Sequence, residues 1–140
     1  MNLRTQIEQR ADGRCEYCHA PQSVCGYRFH LEHIVPLSQQ GSDALDNRAL
    51  TCASCNLVKA DEISGVDPGT GLRVRLFNPR QQPWEQHFRW ESDQKTLTGI
   101  TEIGRATVIA LDMNSALRQE ARQIWFAVGL LPRPLLGAGG

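Results

Sequence analysis

Cys15-Glu16-Tyr17-Cys18 and Cys52-Ala53-Ser54-Cys55 form two Cys-x-x-Cys hooks that bracket the run Phe29-His30-Leu31-Glu32-His33-Ile34-Val35-Pro36. Each hook offers two thiolates to one ion, and two hooks complete the closed tetrahedral four-sulfur shell of a structural zinc site. Between the hooks Glu32 stands beside His33, with Asn47 further along and Asn56 directly after the second hook. A carboxylate can hold a divalent cation, an imidazole can take a proton from water near neutral pH, and an amide oxygen can join the shell of a hard cation. The chemistry on offer is metal-assisted hydrolysis on a frame held by zinc.

The elements that must position these residues are short. Leu3, Ile7 and Ala11 recur at helical spacing and are stopped by Asp12-Gly13, which predicts a helix leading into the first hook. Residues 27–35 are rich in β-formers and end at Pro36, which predicts a strand carrying His30 and Glu32. Residues 38–43 read as a loop, Ala49-Leu50-Thr51 as a second strand entering the second hook, and residues 56–62 as a helix closed by Ser64-Gly65. Past Gly65 the turn-rich Asp67-Pro68-Gly69-Thr70-Gly71 precedes a strand over 72–77, a hairpin from strands 87–90 and 96–100, and helices over 105–112 and from Asn114 or Ser115 to Val128. The expected organisation is a core over 1–65, an extension of strands, hairpin and helices over 66–130, and a flexible tail over 131–140.

Composition limits the alternatives. A chain of 140 residues with 41% hydrophobic content is one domain or a small domain with an appendage, and can bury a core. No apolar run approaches the roughly 18 residues needed to span a bilayer, so a cytoplasmic protein without membrane contact is expected. In that reducing setting four paired cysteines read as metal ligands, and the fifth, Cys25, as a small buried residue. Fifteen basic and fifteen acidic residues cancel, which counts against a protein that coats DNA without sequence preference. Residues up to Gly65 carry six Lys or Arg against eight Asp or Glu, and the remainder nine against seven, so the second part is expected to supply much of any phosphate grip.

The order Glu32-His33-Ile34-Val35-Pro36, Asn47, Cys52-Ala53-Ser54-Cys55-Asn56-Leu57-Val58-Lys59 resembles the HNH endonuclease family, in the bacterial branch whose ββα-metal core is stapled by two hooks. The resemblance covers about residues 12–62, and Leu76-Phe77-Asn78-Pro79-Arg80 with Trp84-Glu85-Gln86-His87-Phe88 is similar to the continuation in short bacterial members. It implies an α+β fold with a ββα-metal core, a structural Zn²⁺ on Cys15, Cys18, Cys52 and Cys55, and a C-terminal β-hairpin and helical extension. It also implies a DNA endonuclease leaving 5′-phosphate and 3′-hydroxyl ends. His33 would be the general base, Glu32 and Asn56 would hold a catalytic Mg²⁺ or Mn²⁺, and Asn47 would position the base by hydrogen bonding across the hairpin. Glu32 stands where most members carry Asp, and Asn56 where the last signature histidine stands.

Lys59, one helical turn past Asn56, Arg48 beside Asn47, and His30 on the strand face of Glu32 are the candidate phosphate contacts. Each position also has a plainer use: His33 as a hydrogen-bonded structural histidine, Asn47 and Asn56 as turn and cap residues, His30 at the surface, His87 as packing between Trp84 and Trp90. Three classes of function compete: a metal-dependent nuclease acting on double-stranded DNA, with a homodimer able to cut both strands; a non-catalytic zinc module that binds nucleic acid; and a thiol redox or metal-handling protein. The third does not call for Glu-His-Ile-x-Pro or Cys-Asn-x-x-Lys, and a zinc-bound thiolate is not free for exchange. The enzyme is preferred to the binding module because Glu32 would repel phosphate unless a cation lay between them.

Overall fold

The computed structural model describes residues 1–134, a mixed α+β arrangement of three two-stranded antiparallel sheets and five α-helices among those residues. Helix α1 (Leu3–Arg10) starts where Asn2 accepts a hydrogen bond from the Thr5 backbone N–H at 2.8 Å, and it buries Ile7. Asp12 and Gly13 both take positive φ and turn the chain into the first hook, after which α2 (Gln22–Cys25) makes one turn. Strands β1 (His30–His33) and β2 (Arg48–Thr51) pair with His30 opposite Thr51, Glu32 opposite Ala49 and His33 opposite Arg48. Helix α3 (Ala53–Lys59) completes the ββα unit.

That helix lies three residues before its expected position. Cys52 supplies the cap, its Sγ accepting from the Cys55 N–H at 3.4 Å, and Ala60 at φ 47° ends the helix before Glu62. The expected stop at Ser64-Gly65 is instead strand β3 (Ser64–Val66), paired with β4 (Arg73–Arg75), so the boundary placed after residue 65 falls inside a hairpin. Beyond it β5 (Phe88–Trp90) and β6 (Leu97–Gly99) form the second extension hairpin, followed by α4 (Glu102–Ala110) and α5 (Ala116–Ala127). Helix α4 starts three residues earlier than expected because Thr101 caps it, accepting from Gly104 N–H at 3.0 Å.

One apolar cluster runs through both parts, from Ile7, Tyr17, Phe29 and Leu50 to Phe77, Phe88, Leu97 and Met113. Burying side chains of this size contributes about 1.5–3 kcal/mol each. Polar links cross the same boundary. Trp84 Nε1 donates to the Tyr17 carbonyl at 2.8 Å, and Arg80 pairs with the buried Glu16 carboxylate, which also accepts from Leu50 N–H at 2.9 Å. The buried Asp67 carboxylate takes both arms of Arg105 at 2.7 and 2.8 Å and fixes the β3–β4 turn to α4. Leu131, placed by sequence in the tail, is buried; residues 135–140 of that tail lie outside the described residues. No helix among the described residues is long and apolar enough to cross a membrane.

Candidate functional site

The four hook cysteines converge, although 33 residues separate Cys18 from Cys52, because β2 returns the chain to the first knuckle: Glu16 N–H donates to Leu50 O at 2.8 Å. All four sulfurs are buried and lie within 4.8 Å of one another, with Cys18 and Cys52 Sγ 3.7 Å apart. Zinc–sulfur bonds of about 2.3 Å place tetrahedral sulfurs about 3.8 Å apart, so this spacing fits one zinc ion. No disulfide competes, since all five cysteines are free thiols. Burial pushes the Cys15 thiol up, whereas hydrogen bonds from the other three thiols pull Cys18 down.

The second hook is gripped from the extension. Arg118 on α5 brings Nη2 to 2.9 Å from Cys55 Sγ and Nη1 to 2.8 Å from the Leu111 carbonyl. Burial works against the charge of Arg118, but Cys55, Cys18 and Cys52 outweigh it and raise its pKa. A four-thiolate zinc site carries net negative charge, which a guanidinium at this distance offsets. Cys25 lies half-buried in the cleft between this helix and the hooks, its pKa raised to about 11 by burial, and is not one of the converging sulfurs. Local sequence holds no signal for Arg118, because its partner is 63 positions away.

On the β1–β2–α3 unit, His30, Glu32, His33 and Asn56 line one open cleft of about 580 Å³. His33 Nε2 lies 2.6 Å from Asp43 Oδ1, and Arg48 Nη2 donates to the same oxygen at 3.1 Å. The His33 hydrogen bond holds Asp43 below the usual carboxylate range, so Asp43 is ionised and can only accept. Nε2 therefore carries the hydrogen, and the basic lone pair is on Nδ1. Asp43 is a residue that sequence reading missed; a carboxylate in a polar loop gives no sign of which imidazole it meets.

Among the described residues Asn47 makes no side-chain hydrogen bond to the His33 ring. It clamps the loop after β1 instead, Oδ1 accepting from Val35 N–H at 2.9 Å and Nδ2 donating to Val35 O at 2.9 Å and Ser42 O at 2.8 Å. Arg48 is occupied as well: beyond Asp43 it donates to the Leu31 carbonyl at 3.0 Å. His30 is exposed at the start of β1.

Lys59 departs from its expected place at the phosphate surface. Its side chain is 2% exposed, with Nζ 3.2 Å from Glu32 Oε1 and donating to Ile34 O at 3.2 Å. The cation beside Glu32 is thus an ammonium of the chain itself, which answers the electrostatic need that sequence reading assigned to a metal. Burial raises the Glu32 pKa, and Lys59 pulls it back. The other oxygen, Oε2, accepts from Thr51 Oγ1 at 3.4 Å. Glu32 stays at the cleft wall, and with the Asn56 amide it offers hard oxygen donors that suit Mg²⁺ or Mn²⁺. Among the described residues the four cysteines are the one group of three or more His, Cys, Asp or Glu side chains close enough to share an ion, so a cation on Glu32 and Asn56 would keep most of its waters.

His87 has its Nδ1 2.6 Å from Thr101 Oγ1 and its ring tilted against Phe77. No curated protein and no solved structure matches the chain. A scan against protein-family models does find a match, and its bounds run from the first hook cysteine to just past α3. Residues 15–62, and with them the hooks, hairpin and helix described above, match the HNH endonuclease family.

Proposed function

We propose that the protein is a metal-dependent endonuclease that hydrolyses phosphodiester bonds of double-stranded DNA. The observation that carries this reading is the His33–Asp43 pair opening onto the same cleft as Glu32 and Asn56, within the segment that matches the nuclease family. His33 Nδ1 takes the proton of the attacking water, while Asp43 fixes the tautomer and stabilises the imidazolium that forms. A Mg²⁺ or Mn²⁺ ion on Glu32 and Asn56, when bound, supplies positive charge for the scissile phosphate and the departing 3′ oxygen. Asn47 keeps the loop after β1 in the shape that presents His33, and zinc on the four cysteines holds β1, β2 and α3 together. Thiols kept free for a metal suit a cytoplasmic setting.

A second reading has one observation in its favour. Because Lys59 already neutralises Glu32, the cleft has less need of a divalent cation, as in a zinc module that binds nucleic acid without cutting it. End-labelled duplex DNA incubated with Mg²⁺, Mn²⁺ or EDTA separates the two. The nuclease yields metal-dependent fragments with 5′-phosphate and 3′-hydroxyl ends, whereas DNA that is bound but intact in every metal supports the binding module.

A further inference from the structure

A second cleft, of about 1110 Å³, lies between α1, the first cysteine knuckle, the segment 79–85 and the segment 132–134. Three guanidiniums, Arg10, Arg80 and Arg133, meet there. Burial, together with repulsion from Arg10 and Arg133, lowers the Arg80 pKa to about 10, so the three charges are close enough to feel one another. Arg10 donates to the Leu45 and Arg48 carbonyls at 2.8 and 2.6 Å, and Arg80 pairs with Glu16. Even so, Arg10 Nε, Arg80 Nε, and Arg133 Nε and Nη2 are buried without a hydrogen-bond partner among the described residues. His19 Nδ1 is in the same condition, on a ring 4% exposed and stacked on Trp84 at 3.9 Å. The acidic side chains on the cleft leave the guanidinium donors unmet: Glu16 is already bonded, and Asp46 and Glu85 are exposed.

Buried donors without acceptors are costly, and guanidinium forks match the oxygens of phosphate. Trp84 is covered by His19 on one side and approached by Phe88 and Trp90, so no open aromatic face invites a base. We infer that this cleft is a binding site for a phosphate group, held chiefly by Arg133 and Arg80 with Arg10 and His19 at its wall. Leu45 and Asp46 line it and run directly into Asn47, which clamps the loop after β1, and Arg48, which pairs with Asp43 beside His33. That continuity favours a backbone phosphate of bound nucleic acid as the source; this assignment of source rests on the nuclease reading, and the phosphate site does not.

The test is binding in EDTA, where no cutting occurs, with wild type, Arg133→Gln and Arg133→Lys. Arg133 is the residue to change because it makes no hydrogen bond among the described residues that its loss would break, whereas Arg80 shields buried Glu16. Arg133→Gln should weaken binding of a fluorescent duplex about tenfold and lower the dependence of log K on log salt by about one, with Arg133→Lys in between. Inorganic phosphate and pyrophosphate are titrated into the same proteins by calorimetry. If they bind wild type and not Arg133→Gln while duplex affinity is unchanged, the site stands and its ligand is a free phosphate. If Arg133→Gln equals wild type for duplex, phosphate and pyrophosphate, the inference is overturned. Should Arg133→Gln fail to fold, absence of phosphate and pyrophosphate binding to wild type, together with unaltered duplex binding by Arg133→Lys, overturns it equally. A wild-type protein that binds phosphate and duplex in EDTA yet never cuts with Mg²⁺ or Mn²⁺ defeats the nuclease reading alone.

Discussion

Asp43 holds the Nε2 side of His33 at 2.6 Å, so its loss acts on the proposed base without touching the four-cysteine knuckle. Asp43→Asn is expected to lower the rate of DNA cleavage about 10- to 100-fold with zinc content unchanged, because the amide no longer enforces the tautomer that leaves Nδ1 basic. Equal rates for the two proteins would remove Asp43 from the mechanism. Lys59 and Glu32 form a different kind of pair, 2% and 6% exposed and 3.2 Å apart. Removing one partner of a buried ion pair costs about 3–5 kcal/mol, whereas removing both is far milder. Lys59→Met should therefore destabilise the protein by about that amount in chemical denaturation, and Glu32→Gln added to it should restore most of the loss. Additive losses would mean that the two charges do not depend on one another.

At the scale of elements, Gly104 and Gly99 bring α4 against the β5–β6 hairpin. A Cβ on Gly104 would overlap the His87 carbonyl, and one on Gly99 would overlap the Gly104 backbone. Gly104→Ala is expected to lower stability by about 1–3 kcal/mol, the range for overpacking, despite the better helix propensity of alanine. A gain in melting temperature would contradict that packing. The same glycine shows why some elements were hard to read: as a poor helix former it pushed the expected start of α4 to Arg105, although Thr101 caps the helix further back. β3 escaped notice because Ser64-Gly65-Val66 is too short to alternate and is a strand only through its pairing with Arg73–Arg75. The β1–β2–α3 unit and the β5–β6 hairpin were legible, since their β-formers, turns and hooks are local signals. The four cysteines and the Glu-His pair were legible for the same reason. Asp43 on His33, Lys59 on Glu32 and Arg118 on Cys55 were not, because each joins residues that only the folded chain brings together.

Across the whole molecule, the apolar cluster and the Arg118–Cys55 contact make the four-cysteine knuckle a shared foundation of the core and the extension. Trp84, Trp90 and Trp125 all lie in the extension. Stripping zinc with a strong chelator is expected to shift their fluorescence in the same transition that removes far-ultraviolet helical signal, as one cooperative loss. An extension that keeps its tryptophan emission after zinc is gone would show two independent units.

The nuclease assignment is met most directly by cleavage of supercoiled plasmid with wild type and His33→Ala in Mg²⁺, Mn²⁺ or EDTA, with zinc measured on the same samples. Wild type is expected to cut only with added divalent metal. His33→Ala should be about 10²–10⁴-fold slower while both proteins hold about one zinc per chain. Cleavage by His33→Ala at the wild-type rate, or no cleavage by folded, zinc-loaded wild type in either metal, would contradict the assignment.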